Sequence, residues 1–162
     1  MRHAPATAET TAAVCRRLAL PHSTAAVPLA RALIRSLLGD SDTPADRDTA
    51  ELLTAELVAN AVEHTSGDEP IELVVELRST GCQVEVHDPD PVPPGGLSAP
   101  EREPDPWQEH GRGLFLIRTL SAACGHRRTA QGKAVWFTLP TAPAATPVVP
   151  SVPSPRTPPT GS

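Results

Sequence analysis

The stretch from residue 46 to residue 65 constrains the fold of this chain most strongly, because its apolar residues fit one uninterrupted helix. At about 100° per residue, Glu56, Asn60 and Glu63 fall on one narrow strip of that helix, and the other faces are almost entirely apolar. A helix that is apolar nearly all round is a buried helix, and buried carboxylates and amides need partners. Two interpretations are open at this point: the strip faces solvent, or it faces a partner, a metal ion or a water-filled cavity.

The segments before this helix predict one strand and one further helix. Residues Val14–Leu20 alternate loosely and end at a proline, which is typical of an edge strand. Residues 27–38 carry leucine and isoleucine at helical spacing, with a proline in the first turn and a glycine at the end. Thr43 is the predicted N-cap of the long helix, since a proline and an acid then occupy its first and third positions.

Two strands are predicted after the long helix. Residues 71–77 alternate cleanly, and the strand that follows the next turn places Cys82, Val84 and Val86 on one face. Asp88 ends that strand on the same apolar face. An acid at this position is either a turn-former that begins the proline-rich loop or a residue of a functional site.

A long proline-rich segment, residues 89–110, cannot form regular structure. A loop of this length inside a compact domain is typically a lid, a binding loop or a disordered segment. The run Gly111-Arg112-Gly113-Leu114 then opens a helix, whose free backbone N–H groups and positive dipole end can hold an anion. Glycine at the start of a helix is also commonplace, so this run alone does not establish an anion site.

The order of the predicted elements indicates the fold class. The last helix is expected to run to Ala123, with Leu120 facing inward and Gly125 ending it, and residues 126–130 and 133–139 form a hairpin. Helices that cluster on one face of a largely antiparallel sheet make an α/β (α+β) two-layer sandwich. We therefore predict that architecture for the folded part of the chain.

Composition sets the extent of the folded part. The chain has 162 residues, which suits one domain, and many of its 20 prolines lie in a tail of low complexity. We expect residues 1–11 to be flexible and residues 141–162 to form a disordered proline-rich tail. Residues 12–140 then make one domain with a single hydrophobic core, and residues 89–110 make its lid.

Charge and cysteine content exclude several classes of function. A formal net charge of −5 argues against nucleic acid as a partner, because phosphate binding needs a basic surface. No apolar run reaches membrane-spanning length, and the N-terminus lacks an apolar signal core, so we expect a cytoplasmic protein without membrane attachment. The three cysteines, Cys15, Cys82 and Cys124, are predicted to be buried core residues in a reducing compartment.

The motifs together resemble one superfamily. Glu-Leu-x-x-Asn-Ala on a helix, an aspartate ending a core strand, a long lid and Gly-x-Gly-Leu opening a helix occur in the order found in GHKL proteins (gyrase, Hsp90, histidine kinase, MutL), which have the Bergerat ATP-binding fold. Within that superfamily, residues 60–64 and 132–137 are most similar to the small bacterial anti-sigma factor serine/threonine kinases. The resemblance covers roughly residues 19–140.

The resemblance implies a role for each motif residue. Asn60 matches the amide that holds Mg²⁺ on the phosphates of ATP, and Glu56 matches the acid proposed to activate the phosphoryl acceptor. Asp88 matches the carboxylate that accepts the adenine amino group. The family's second glycine box, whose backbone N–H groups meet the phosphates, corresponds to Gly111, Arg112, Gly113 and Leu114.

The resemblance also implies a function. It predicts an ATP-dependent serine/threonine kinase that regulates transcription by binding and phosphorylating a STAS-domain anti-anti-sigma protein. It also predicts that the protein binds a sigma factor and forms a homodimer. Two departures stand against catalysis: Asp90 occupies a position where relatives have glycine, and Ala134 one where they often have threonine. They motivate the alternative of a non-catalytic, nucleotide-responsive module that binds regulatory proteins.

Overall fold

The fold is described from a computed structural model, in residues 14–39, 46–94 and 112–140. Within these ranges the chain forms five strands and three helices: β1 (Val14–Leu20), α1 (Ala26–Gly39), α2 (Arg47–His64), β2 (Ile71–Arg78), β3 (Gly81–Asp88), α3 (Arg112–Leu120), β4 (Ala123–Thr129) and β5 (Gly132–Pro140). The expectations for residues 1–11, for residues 141–162 and for residues 95–110 of the lid lie outside the described residues.

All five strands join one antiparallel sheet in the order β1-β2-β3-β5-β4. β1 lies at one edge, as its alternating pattern and terminal proline predicted. The core-facing side chains of the sheet pack against buried residues of α1, α2 and α3 in one continuous cluster. The predicted two-layer α+β sandwich, with helices on one face of an antiparallel sheet, is therefore confirmed and is consistent with the Bergerat fold.

Helix α2 is the buried helix that its apolar faces predicted. Leu53 and Val58 are fully buried, and Leu57 is only 1% exposed. Burial of a leucine or valine side chain contributes about 1.5–3 kcal/mol, so these positions anchor the helix on the sheet. On the polar strip Glu56 and Asn60 are half-buried and Glu63 is exposed. The packing of the other faces fixes the direction in which this strip points.

The start of α2 differs from the prediction. Asp46 is the N-cap: its Oδ1 accepts hydrogen bonds from the backbone N–H of Asp48 at 3.2 Å and of Thr49 at 3.3 Å. Thr43, the predicted cap, lies outside the described residues. The aspartate is the better cap because its carboxylate satisfies free N–H groups and also interacts favourably with the positive end of the helix dipole.

The end of α3 also differs from the prediction. The helix stops at Leu120, which is 44% exposed instead of facing inward. The chain enters β4 at Ala123, because the strand can pair with β5 from that residue onward. Gly125 is therefore a strand residue: a Cβ there would lie 3.0 Å from Cζ2 of Trp136. The glycine allows the indole to lie against the β4 backbone, and it does not end a helix.

The cysteines divide by position in the sheet. Cys82 is buried and burial raises the pKa of its thiol to about 11, whereas Cys124 is half-buried and Cys15 is exposed. The prediction that all three are buried is wrong for Cys15, because β1 is an edge strand and Cys15 pairs with Glu76 on the sheet face that carries no helices. Among the described helices, none is both long and apolar enough to cross a membrane.

The sheet face turned away from the helices carries a network of ions centred on Glu85. The Glu85 carboxylate, 8% exposed, accepts two hydrogen bonds from the Arg127 guanidinium at 2.7 and 2.8 Å. Its Oε2 also lies 2.8 Å from Nε2 of His87. These contacts, that with Arg127 foremost, lower the pKa of Glu85 to about 2. The network ties β3 to β4 across β5.

Candidate functional site

Five of the predicted site residues line one cavity of about 550 Å³. Glu56 and Asn60 reach it from α2, Asp88 from the end of β3, and Gly113 and Leu114 from the start of α3. These segments are far apart in sequence, and the fold brings them together at one end of the sheet. Cavities of this size are typical of small-molecule sites.

The cavity decides between the two interpretations of the polar strip on α2. Glu56, Asn60 and Glu63 all line it, so the strip faces a cavity and not bulk solvent alone. His64 and Thr65, at the C-terminal end of the same helix, line it as well. The chemical roles that the resemblance assigns to Glu56 and Asn60 stay predictions.

The first turn of α3 lies directly against Glu56. A Cβ placed on Gly113 would be 2.5 Å from Oε2 of Glu56 and 3.3 Å from its Cβ. The second glycine of the Gly-x-Gly run therefore provides the space in which the carboxylate and the helix start meet. Leu114 is 7% exposed and fixes this turn in the core.

Two members of the predicted glycine box lie wholly or partly outside the described residues. Gly111 lies outside the described residues. Arg112 is the first residue of α3, and the described structure does not include its side chain. Their predicted contacts with phosphate stay predictions.

Asp88 acts both as a turn-former and as a residue of the cavity. It is 6% exposed, and its Oδ1 accepts a hydrogen bond from the backbone N–H of Asp90 at 2.9 Å. The same oxygen accepts a hydrogen bond from Nζ of Lys133 at 3.0 Å. Asp88 is thus a turn-former, and the turn uses one carboxylate oxygen and leaves the other. Its role in a functional site stays a prediction.

Asp90 continues this turn where relatives have glycine. Its Oδ1 accepts a hydrogen bond from the backbone N–H of Val92 at 3.0 Å, and its carbonyl oxygen accepts one from Lys133 at 3.0 Å. An aspartate suits such a turn because its side chain can bond to the backbone two residues further on. Residues 88–92, directly after the core of β3, are therefore held in a hydrogen-bonded turn although residue 90 is not a glycine.

Lys133 is a residue of the candidate site that the sequence did not lead us to predict. It lines the cavity, is 6% exposed, and stands directly opposite Asp88 in the register of β3 and β5. The signal was present in the sequence: alternation along β5 puts Lys133 on the same face as Val135 and Phe137. A lysine in a core-facing position needs a buried partner, and the acid that ends the neighbouring core strand supplies it.

The described side chains around the cavity carry predominantly negative charge. Within the described ranges, the carboxylates of Glu56, Glu63, Asp88 and Asp90 line it, and Lys133 brings an ammonium group. A polyphosphate would be repelled by these acids unless a cation came with it. Mg²⁺ prefers oxygen ligands and usually keeps phosphates and water in its shell, so an amide such as that of Asn60 suits it as a single protein ligand.

The comparisons with known proteins agree with this geometry. The family model described as histidine kinase-like ATPase domain (HATPase_c_2) matches residues 20–139, which include every described residue of the site. A comparison with curated proteins finds no significant match. The match spans most of the chain and covers its α+β fold and its cavity. The chain therefore belongs to the histidine kinase-like ATPase domain family.

Proposed function

We propose that this protein binds Mg-ATP in the described cavity and acts as a serine/threonine kinase of the anti-sigma factor type. The observation that carries the proposal is the convergence of Glu56, Asn60, Asp88 and Gly113 on one cavity in a histidine kinase-like ATPase domain. Its substrate is the serine or threonine hydroxyl of a STAS-domain antagonist, and its regulatory partner is a sigma factor. Both partners rest on the resemblance.

The residues present fit a magnesium nucleotide. The amide oxygen of Asn60 would be a ligand of Mg²⁺, which neutralises phosphate charge when bound. The free carboxylate oxygen of Asp88 would accept the adenine amino group. The backbone N–H groups of Gly113 and Leu114, in the first turn of α3, would donate to phosphate oxygens.

Glu56 would carry the chemical step. Its carboxylate accepts the proton of the acceptor hydroxyl while the hydroxyl oxygen bonds to the γ-phosphorus and the bond to the ADP oxygen breaks. Its position against Gly113 places it beside the helix start to which we assign the phosphates. A Glu56→Gln substitution preserves the shape of the side chain and removes this base.

Phosphoryl transfer to a candidate partner tests the proposal. The protein is incubated with Mg²⁺, γ-labelled ATP and purified STAS-domain proteins from the same organism. We expect label on one STAS protein, and a loss of at least about a hundredfold in rate for Glu56→Gln with unchanged ATP binding. Serine-to-alanine substitution in the acceptor is the matched control. Absence of transfer to every STAS protein, with ATP bound, would refute the kinase assignment.

A second candidate function is a non-catalytic, nucleotide-responsive module that binds regulatory proteins. The observation that favours it is Asp90, whose Oδ1 accepts a hydrogen bond from the backbone N–H of Val92 at a position where the resemblance predicts glycine. Tight, Mg²⁺-dependent ATP binding without transfer would select this function. In either case we propose that the protein is cytoplasmic and acts as a homodimer. Sedimentation of the purified protein tests the oligomeric state.

A further inference from the structure

The ion pair of Lys133 and Asp88 on the wall of the cavity leaves hydrogen-bonding groups for a ligand. Lys133 and Asp88 have side chains that are 8% and 2% exposed, and Nζ lies 3.0 Å from Oδ1. Burying an ammonium group is costly unless all of its hydrogens are bonded. A buried lysine on the wall of a cavity is therefore a candidate for ligand contact.

A count of the hydrogen bonds shows which groups remain for a ligand. Nζ of Lys133 donates to Oδ1 of Asp88 and to the carbonyl oxygen of Asp90. An ammonium group has three donors, so one N–H has no acceptor among the residues of the described ranges. Oδ1 of Asp88 accepts from Lys133 and from the backbone of Asp90. Its Oδ2 has no donor in the described part of the chain.

One donor and one acceptor therefore stand side by side on this wall of the cavity. Adenine presents an amino group next to an unprotonated ring nitrogen, N1, so its edge offers a donor beside an acceptor. Guanine presents an oxygen and a protonated N1 at the same two positions, which would set acceptor against acceptor and donor against donor. Such a mismatch leaves buried polar groups unpaired, which is costly.

We propose that Lys133 is a specificity-determining residue for the nucleotide base, and that it donates its third N–H to N1 of adenine while Asp88 Oδ2 accepts the amino group. This proposal rests on the proposed binding of ATP, and it adds a direct hydrogen bond between the protein and the ring nitrogen N1. Lys133 also donates a hydrogen bond to the carbonyl oxygen of Asp90. The same side chain therefore contacts Asp88, to which we assign the base, and the first residues after β3.

The test compares ATP with 1-deaza-ATP, in which a C–H group replaces N1 and the amino group is kept. Binding of each to the full-length protein is measured by calorimetry in the presence of Mg²⁺. We expect the wild-type protein to bind 1-deaza-ATP about tenfold to a hundredfold more weakly than ATP, because a hydrogen bond to a charged donor is lost. In Lys133→Met the two ligands should bind within about twofold of each other.

One further variant and two contrary outcomes complete the test. Lys133→Met leaves the Asp88 carboxylate buried without its partner, so this variant can fail to fold. If thermal unfolding shows that it does, the Lys133→Met, Asp88→Asn double variant replaces it, because it contains neither buried charge. Equal binding of both ligands by the wild-type protein overturns the role of Lys133 and leaves ATP binding intact. If the wild-type protein binds neither ATP nor 1-deaza-ATP, the proposed function is overturned as well.

Discussion

Replacement of Gly113 by alanine places a methyl group against the Glu56 carboxylate. The new Cβ would lie 2.5 Å from Oε2 and 3.4 Å from Cδ of Glu56. The first distance is roughly 1 Å short of the optimal separation of non-bonded heavy atoms. The carboxylate must therefore rotate away from α3.

Two opposing effects set the magnitude. Moving the glutamate off its rotamer costs about 0.5–1.5 kcal/mol. Alanine is more favourable than glycine in a helix by about 0.5–1 kcal/mol. In the wild-type background these effects nearly cancel. In a Glu56→Ala background the carboxylate is absent and only the Cβ of residue 56 remains, 3.3 Å from the new methyl group. The same Gly113→Ala change should then stabilise the protein by up to about 0.5–1 kcal/mol.

A double-mutant cycle measures the difference. Urea unfolding of wild type, Gly113→Ala, Glu56→Ala and the double variant should give a coupling free energy of about 1 kcal/mol, or about 3 °C in Tm. Glu56→Gln is the matched control: it keeps the shape of the side chain, so Gly113→Ala should have the same effect in that background as in the wild type.

The reasoning would be refuted by additivity. If Gly113→Ala changes the free energy of unfolding equally with and without the Glu56 carboxylate, to within about 0.3 kcal/mol, then the side chain does not lie on the first turn of α3. The assigned position of the base beside the phosphates would then be wrong.

Two further predictions concern the frame of the site. The pKa of Glu85 in the folded protein, about 2, is below its ordinary value of 4.5; its stabilisation is therefore present above pH 4.5 and lost as the pH falls towards 2. Glu85→Gln should lower the free energy of unfolding by about 1–2 kcal/mol at pH 7 and by almost nothing near pH 2. The cost at pH 7 is this modest because solvent partly screens the half-exposed Arg127. Urea unfolding at both pH values checks the prediction. Gly132→Ala should cost at least about 2 kcal/mol, because a Cβ would overlap the backbone carbonyl of Asp88, which cannot rotate away. Its matched control is Gly67→Ala, which has a positive φ but no atom within 4 Å of the new Cβ; a cost for Gly132→Ala no larger than that of Gly67→Ala would contradict the close packing.

Much of the fold was predictable because local signals agreed with tertiary packing. The apolar faces of α2 and the alternation of β3 identified elements that the structure contains, and Asp88 was placed on the core-facing side of its strand. Element ends were less predictable. α3 ends early at Leu120 because residues from Ala123 onward gain strand pairing with β5, and such a long-range gain has no local signature.

The lining of the candidate site was predictable where its residues belong to a motif. Glu56, Asn60 and Asp88 were identified from their order along the chain, and the structure brings them to one cavity. Lys133 was missed because its partner lies on another strand, 45 residues away in sequence. Only the register of β3 and β5 shows that the lysine at the start of one strand faces the acid at the end of the other.

The central claim is that the cavity binds ATP through magnesium. Calorimetric titration of the full-length protein with ATP, with Mg²⁺ or with EDTA, tests it most directly. The described residues that line the cavity bring four carboxylates and one ammonium group, so we predict binding with Mg²⁺ and none with EDTA. Asn60→Ala should lower the affinity at least about tenfold while the variant still unfolds at the wild-type temperature. Binding of ATP that is equally tight in EDTA and in Asn60→Ala would contradict the account.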